Sequence, residues 1–127
     1  MTVTTAPEKL SRKLKVEGLK TRIQNRGVFS VLNNFHFEIS HLNGISKRDA
    51  WTYILNLVCD AIRELPQVAG TNIKITPKYD ETNEIASILA WPSGSEASQI
   101  WYSKPKRING ADIVAAQYDW EGEELGI

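Results

Sequence analysis

Hydrophobic residues recur at helical spacing over residues 47–65, which is the clearest periodic segment of the chain. Apolar side chains three or four positions apart share one side of a helix, so this segment is predicted to form an amphipathic helix. Ser46 and Asp49 form a capping-box-like start, and Pro66 is expected to end the helix. The apolar positions are Trp51, Ile54, Leu55, Val58, Ala61, Ile62 and Leu65.

Alternating hydrophobic and polar residues before this helix predict two β-strands, over residues 28–32 and 35–41. In the second segment Phe35, Phe37 and Ile39 alternate with polar residues. Asn33 and Asn34 would then form the two-residue turn between the strands.

Four further strands are predicted after the helix, in two hairpins. Residues 72–78 and 85–91 flank the acidic stretch 80–84, which is typical of a hairpin loop. The second hairpin pairs residues 99–108 with 111–120, and residues 92–98 connect the two hairpins. Asn109–Gly110 tolerates positive φ angles and is the clearest turn signal in the chain.

Together these elements predict an α+β fold, in which an antiparallel sheet of about four to six strands packs on one long central helix. One domain is expected over residues 1–127, with a basic segment at 1–26, an α+β core at 27–120 and an acidic tail at 121–127. Residues 8–25 fit two structures. They form either a helix or two short strands that turn at Glu17–Gly18.

The formal net charge is zero, but the charges are unevenly distributed. Residues 1–26 contain seven basic and two acidic side chains and carry +5, whereas residues 111–127 contain five acidic and no basic ones and carry −5. Such ends can fold onto one another, pair head-to-tail between subunits, or each bind a different partner. The basic candidates are Lys9, Arg12, Lys13, Lys15, Lys20, Arg22 and Arg26, and the acidic candidates are Asp112, Asp119, Glu121, Glu123 and Glu124.

Two further groups could contact anions. Tyr102, Lys104, Lys106 and Arg107 place an aromatic ring beside cations on one predicted strand, an arrangement that suits nucleic acid. Ser46, Lys47 and Arg48 stand at the start of the long helix, where free backbone amides attract anions. Pro105 cannot donate to a strand ladder and therefore marks an edge or a bulge.

Enzyme signatures are mostly missing, since the chain has no phosphate-binding loop, no nucleophile elbow and no zinc-binding helix motif. His36 and Glu38 form the one local acid–base pair, and His41 would point to the opposite face of the strand. Cys59 lies in the apolar helix and is expected to be inert packing. We therefore expect no metal and no cofactor.

The sequence favours a non-enzymatic protein that self-assembles or docks on a macromolecule, such as a virion component, an inhibitor or an assembly factor. Nucleic-acid binding through the basic segment and residues 99–108 is one alternative, and a small-ligand protein or enzyme with a helix–sheet pocket is another. No apolar run is long enough to span a membrane. The single cysteine favours a cytoplasmic location or one within a viral particle.

Overall fold

The computed structural model describes residues 14–66, 68–94, 99–108 and 112–118, and for residues 92, 99, 106–108 and 112–118 the description covers the backbone alone. Three helices come first in these ranges and four strands follow. The helices are α1 (Leu19–Arg26), α2 (Val28–Ser40) and α3 (Lys47–Arg63), and the strands are β1 (Ile73–Asp80), β2 (Ile85–Pro92), β3 (Gln99–Ile108) and β4 (Asp112–Tyr118).

The strands form one antiparallel sheet in the order β1-β2-β3-β4. Helix α2 packs on β3, α3 packs on β1 and β2, and α1 packs against both other helices. Arg63 links α3 to the sheet, because its guanidinium donates a hydrogen bond to the Ile75 carbonyl at 2.9 Å. The predicted α+β class with an antiparallel sheet is confirmed.

The prediction of one long helix with strands before it is wrong, because residues 28–41 are helical. In α2 the buried side chains follow the 3.6-residue period of a helix. Phe37 does not belong to this buried set. The count of four to six strands had included the two strands before the helix, whereas all the described strands come after it. The buried positions of α2 are Val28, Val31, Leu32, Phe35 and Ile39.

Helix α3 begins as predicted, since the Ser46 hydroxyl accepts a hydrogen bond from the Asp49 N–H at 3.1 Å. The helix ends at Arg63, with Glu64 as its C-cap, and therefore stops before Pro66. A proline disfavours helical dihedrals at the residue before it. This effect of Pro66 accounts for the end of α3 ahead of the proline.

Residues 19–26 are helical, so the helical alternative is confirmed there. A turn does form at Glu17–Gly18, but it leads into α1 and not into a strand. One glycine, Gly27, joins α1 to α2 with a φ of 89° and a ψ of 162°. Residues with a Cβ rarely adopt that φ, so this sharp corner between two helices requires glycine.

Both C-terminal hairpins are confirmed by their antiparallel pairing. In the first, Asp80 pairs with Ile85 across the acidic loop. In the second, Ile108 pairs with Asp112, while the predicted Asn109–Gly110 turn lies outside the described residues. The pairing of β3 with β4 shifts register between Trp101 and Lys106. Because β3 is an inner strand, Pro105 marks a bulge and not an edge.

Candidate functional site

A groove runs between the segment 14–17, α1 and α2, and we call it the α1–α2 groove. Its volume is about 840 Å³, and its walls include residues 14–17, Arg22, Arg26, Asn34, Phe37 and Glu38. Part of the predicted basic segment therefore lines a concave surface. Lys9, Arg12 and Lys13 lie outside the described residues.

Phe37 is the exposed large hydrophobic side chain of the described residues, with 63% of its surface accessible. Phe35 and Ile39 are buried, and Phe37 lies between them in sequence, which places it on the opposite side of α2. Alternation along a strand would have grouped the three side chains on one face. The predicted strand therefore groups Phe37 with its apolar neighbours, and its exposure does not follow from that pattern.

Arg22 of α1 contacts both the segment before α1 and helix α2. Its Nη1 donates a hydrogen bond to the Lys15 carbonyl at 2.5 Å, and its guanidinium carbon lies 5.2 Å from the centre of the buried Phe35 ring. On the other side, the Lys15 N–H donates to Glu38 Oε1 at 3.3 Å. These contacts fix the segment before α1 against both helices, so the groove is preformed.

The other cations of the basic segment that the structure describes are at the surface. Lys15, Lys20 and Arg26 are exposed, whereas Leu14, Leu19 and Ile23 are buried in the core. The segment thus anchors itself through apolar side chains and presents its positive charges to solvent, which is the arrangement that an anionic partner requires.

A polar junction forms where α2, the start of α3, the β1–β2 loop and β3 meet. Lys47 Nζ lies 3.0 Å from Glu84 Oε1. Burial, followed by the positive charges of Lys104 and Lys47, lowers the pKa of His36. The hydrogen bond from Lys47 lowers the pKa of Glu84. The adjacent cavity measures about 10 Å³, which is no larger than one water molecule needs.

The predicted pair of His36 and Glu38 is not formed. Residues two positions apart in a helix differ by about 200° around its axis, so the side chains of His36 and Glu38 lie on different sides of α2. His36 faces Lys47 and Glu84, whereas Glu38 lines the α1–α2 groove. Within the described residues, neither the α1–α2 groove nor the small cavity beside His36 is lined by both side chains.

The cations at the start of α3 face carboxylates of the same chain. Lys47 pairs with Glu84, and Arg48 Nη1 lies 3.2 Å from Glu81 Oε1. Both carboxylates belong to the acidic hairpin loop. The Ser46 hydroxyl is used as the N-cap. An external anion at this helix start would therefore compete with the β1–β2 loop.

The prediction of an exposed aromatic–cation surface on β3 is wrong for its aromatic residue, Tyr102. Tyr102 is buried, with 6% of its surface exposed, whereas the prediction placed it on a solvent-facing side of the strand. Burial also raises the pKa of Tyr102. Lys104 is partly exposed, near His36. For Lys106 and Arg107 the structure describes the backbone, where they pair with Val114 and Ile113 of β4.

The acidic candidates lie at the end of the chain. Asp112 opens β4, and the description there is limited to the backbone. Residues 119–127, which include Asp119, Glu121, Glu123 and Glu124, lie outside the described residues.

Two further observations concern metals and membranes. Within the described ranges, no three His, Cys, Asp or Glu side chains come together as a metal site. None of the helices in those ranges combines the length and the apolar content that a membrane crossing needs.

Comparisons with protein-family models, with curated proteins and with solved structures found no match for this chain. The function of the chain is therefore inferred from the geometry of its own residues.

Proposed function

We propose that this chain is a non-enzymatic protein that assembles with further copies of itself through the α1–α2 groove and its oppositely charged ends. The observation that carries this proposal is the exposure of Phe37 on the wall of a groove that also presents Lys15 and Arg26. Aromatic side chains are enriched in protein interfaces, where a polar rim surrounds an apolar centre.

The energetics favour contact at this place. Covering a Phe side chain that is 63% exposed is worth about 1–2 kcal/mol of association free energy. Because Arg22 and the hydrogen bonds of Lys15 already fix the groove walls, a partner does not have to order them on binding. The charges of Lys15 and Arg26 then select an acidic surface and steer its approach.

A catalytic role has less support. The one acid–base pair that the sequence offered, His36 and Glu38, is separated, and the cavity beside His36 is too small for a substrate. The Cys59 thiol is buried, and burial raises its pKa to about 11, which opposes a nucleophilic role.

The test is the solution mass of the full chain, measured by light scattering at about 0.1 M and about 1 M salt, where the Debye length falls from about 10 to 3 Å. We expect a multimer at low salt that shifts toward monomer at high salt. A monomer under both conditions would contradict self-assembly.

A pair of variants locates the surface. Phe37→Ala is expected to weaken assembly at low salt. Phe29→Ala is the matched control, because it makes the same change on the same helix outside the groove. If both variants assemble like the wild type, the α1–α2 groove is not the contact surface.

Nucleic-acid binding is the second candidate, and the exposure of Phe37 near Arg26 favours it, because a base could stack on the ring while the cation meets phosphate. Titration of a labelled single-stranded oligonucleotide tests it. Binding should weaken steeply as salt rises, and Arg26→Gln should reduce the slope of log K against log salt by about one. Affinity that is independent of salt would exclude this candidate.

A further inference from the structure

We infer that the occupant of the α1–α2 groove is the same groove of a second copy of this chain, with Phe37 of each copy beside a two-fold axis. This inference rests on the proposed self-assembly and names the contact that produces it. A two-fold contact uses one surface patch on both copies, so the product is a closed dimer.

The side chains that line the groove come from one side of each helix. Arg22 and Arg26 are four positions apart on α1. On α2, Asn34 precedes Phe37 by three positions and Glu38 by four. Residues at these spacings are neighbours on a helix surface. The two helices therefore present one continuous surface that a partner can cover.

Phe37 gives this surface an apolar centre. It is the large hydrophobic side chain that remains exposed in the described chain, and the partly buried Val16 lies in the same groove. Aromatic residues are enriched at the centre of protein interfaces, and polar residues form the rim. With Phe37 beside a two-fold axis, the rings of two copies cover each other, and the charged side chains of both grooves surround them.

The charges on the groove walls have both signs. The described walls carry the cations Lys15, Arg22 and Arg26 and the carboxylates Glu17 and Glu38. A strongly acidic ligand would meet the two carboxylates, and a strongly basic ligand would meet the three cations, and like charges brought together oppose a contact. A surface that also has both signs avoids this repulsion. The groove of a second copy is such a surface, and it also supplies an apolar centre.

Two of these charges are available to pair with a partner. Glu17 precedes the N-cap of α1 and Arg26 is the last residue of the helix, so about 12 Å of helix separates them. Both side chains are exposed, and neither forms an ion pair with another described residue. A two-fold axis near the middle of the groove brings Arg26 of one copy to Glu17 of the other, and the reverse pair forms at the same time. Within one chain the two charges stay apart, so these pairs require a second copy.

Charge exchange at these two positions tests the contact. Arg26→Glu and Glu17→Arg each bring like charges together, and symmetry applies each change twice per dimer. By light scattering of the full chain at about 0.1 M salt, each variant alone should raise the dissociation constant of the dimer by about tenfold. The double variant, Glu17→Arg with Arg26→Glu, should recover the wild-type constant. An equimolar mixture of the two single variants should recover it as well, because both pairs then again have opposite signs.

Lys20→Glu is the matched control, because it reverses an exposed cation of α1 that does not line the groove. This variant should dimerise like the wild type. If neither the double variant nor the mixture recovers, or if the single variants dimerise like the wild type, the two-fold pairing is wrong while self-assembly stands. A wild type larger than a dimer would contradict the closed two-fold contact. A monomeric wild type would instead contradict the proposed function itself.

Discussion

The hydroxyl of Ser103 accepts a hydrogen bond from the backbone N–H of Ala86 at 3.0 Å, and both residues are buried. Backbone pairing of β2 with β3 ends at Ser87 and Tyr102, so the serine side chain satisfies the next N–H of β2. The Ser103 carbonyl also accepts from the Asn33 amide at 3.1 Å. Ser103 therefore connects two strands and α2 beside the bulge that contains Pro105.

Replacing Ser103 with alanine should destabilise the protein. The Ala86 N–H would remain buried without its acceptor, which costs about 1–3 kcal/mol in the free energy of unfolding. Urea unfolding measures the change. Ser93→Ala, at an exposed position, is the control and should stay within about 0.5 kcal/mol of the wild type. If both variants unfold at the same urea concentration, this hydrogen bond contributes nothing to stability.

Glu84 has a φ of 53° and is the non-glycine residue with positive φ in the described chain. Glu84→Gly and Glu84→Ala both lose the ion pair with Lys47, but only alanine retains the left-handed strain. We therefore expect the glycine variant to be more stable than the alanine variant by about 1 kcal/mol. Thermal and urea unfolding of the two variants provide the comparison. Equal stability would mean that the loop relaxes out of this conformation without cost.

Cys59 should make stability depend on pH in the alkaline range. Burial raises the pKa of its thiol to about 11, with Arg63 partly opposing the shift, whereas an unfolded thiol ionises near about 8.5. The folded state holds the proton more tightly. Its stabilising contribution is therefore complete below about 8.5 and is lost as the pH rises through 11.

The measurement is the urea midpoint at several pH values from neutral to alkaline, for the wild type and for Cys59→Ala. We expect the wild type to lose more stability with rising pH than the variant. Burial also raises the pKa of Tyr102 and Tyr79, but these groups act equally in both proteins and cancel in the difference. Parallel pH profiles would show that the thiol is not protected from ionisation.

Sequence reasoning located α3 and both C-terminal hairpins because their signals are local. A capped helix with a continuous apolar stripe and strands bounded by polar turns each depend on a few neighbouring residues. The segment 28–41 was misassigned because its β-branched and aromatic residues favour strands, while tertiary packing selected a helix. The spacing of Val28, Val31, Leu32, Phe35 and Ile39 contained the correct signal.

That misassignment had a direct effect on the candidate site. A strand would place Phe37 with Phe35 and Ile39 on one face, and so its exposure could not be anticipated. The basic segment was visible from charge alone, but its position in one groove with Asn34 and Glu38 depends on the corner at Gly27, which folds α1 beside α2. Likewise, the burial of Tyr102 depends on the packing of the folded chain, which alternation along one strand does not reveal.

The order of elements, with all described helices before all described strands, has a consequence for synthesis on the ribosome. The apolar faces of α2 and α3 are complete once Arg63 has been made, but the strands that cover them are finished only near Ser103, about 40 residues later. Translation proceeds at about 5–20 residues per second, so the apolar faces of these helices remain uncovered for about 2–8 s. During translation the apolar faces of α2 and α3 are therefore exposed for a time, and holdase chaperones can bind them at this stage.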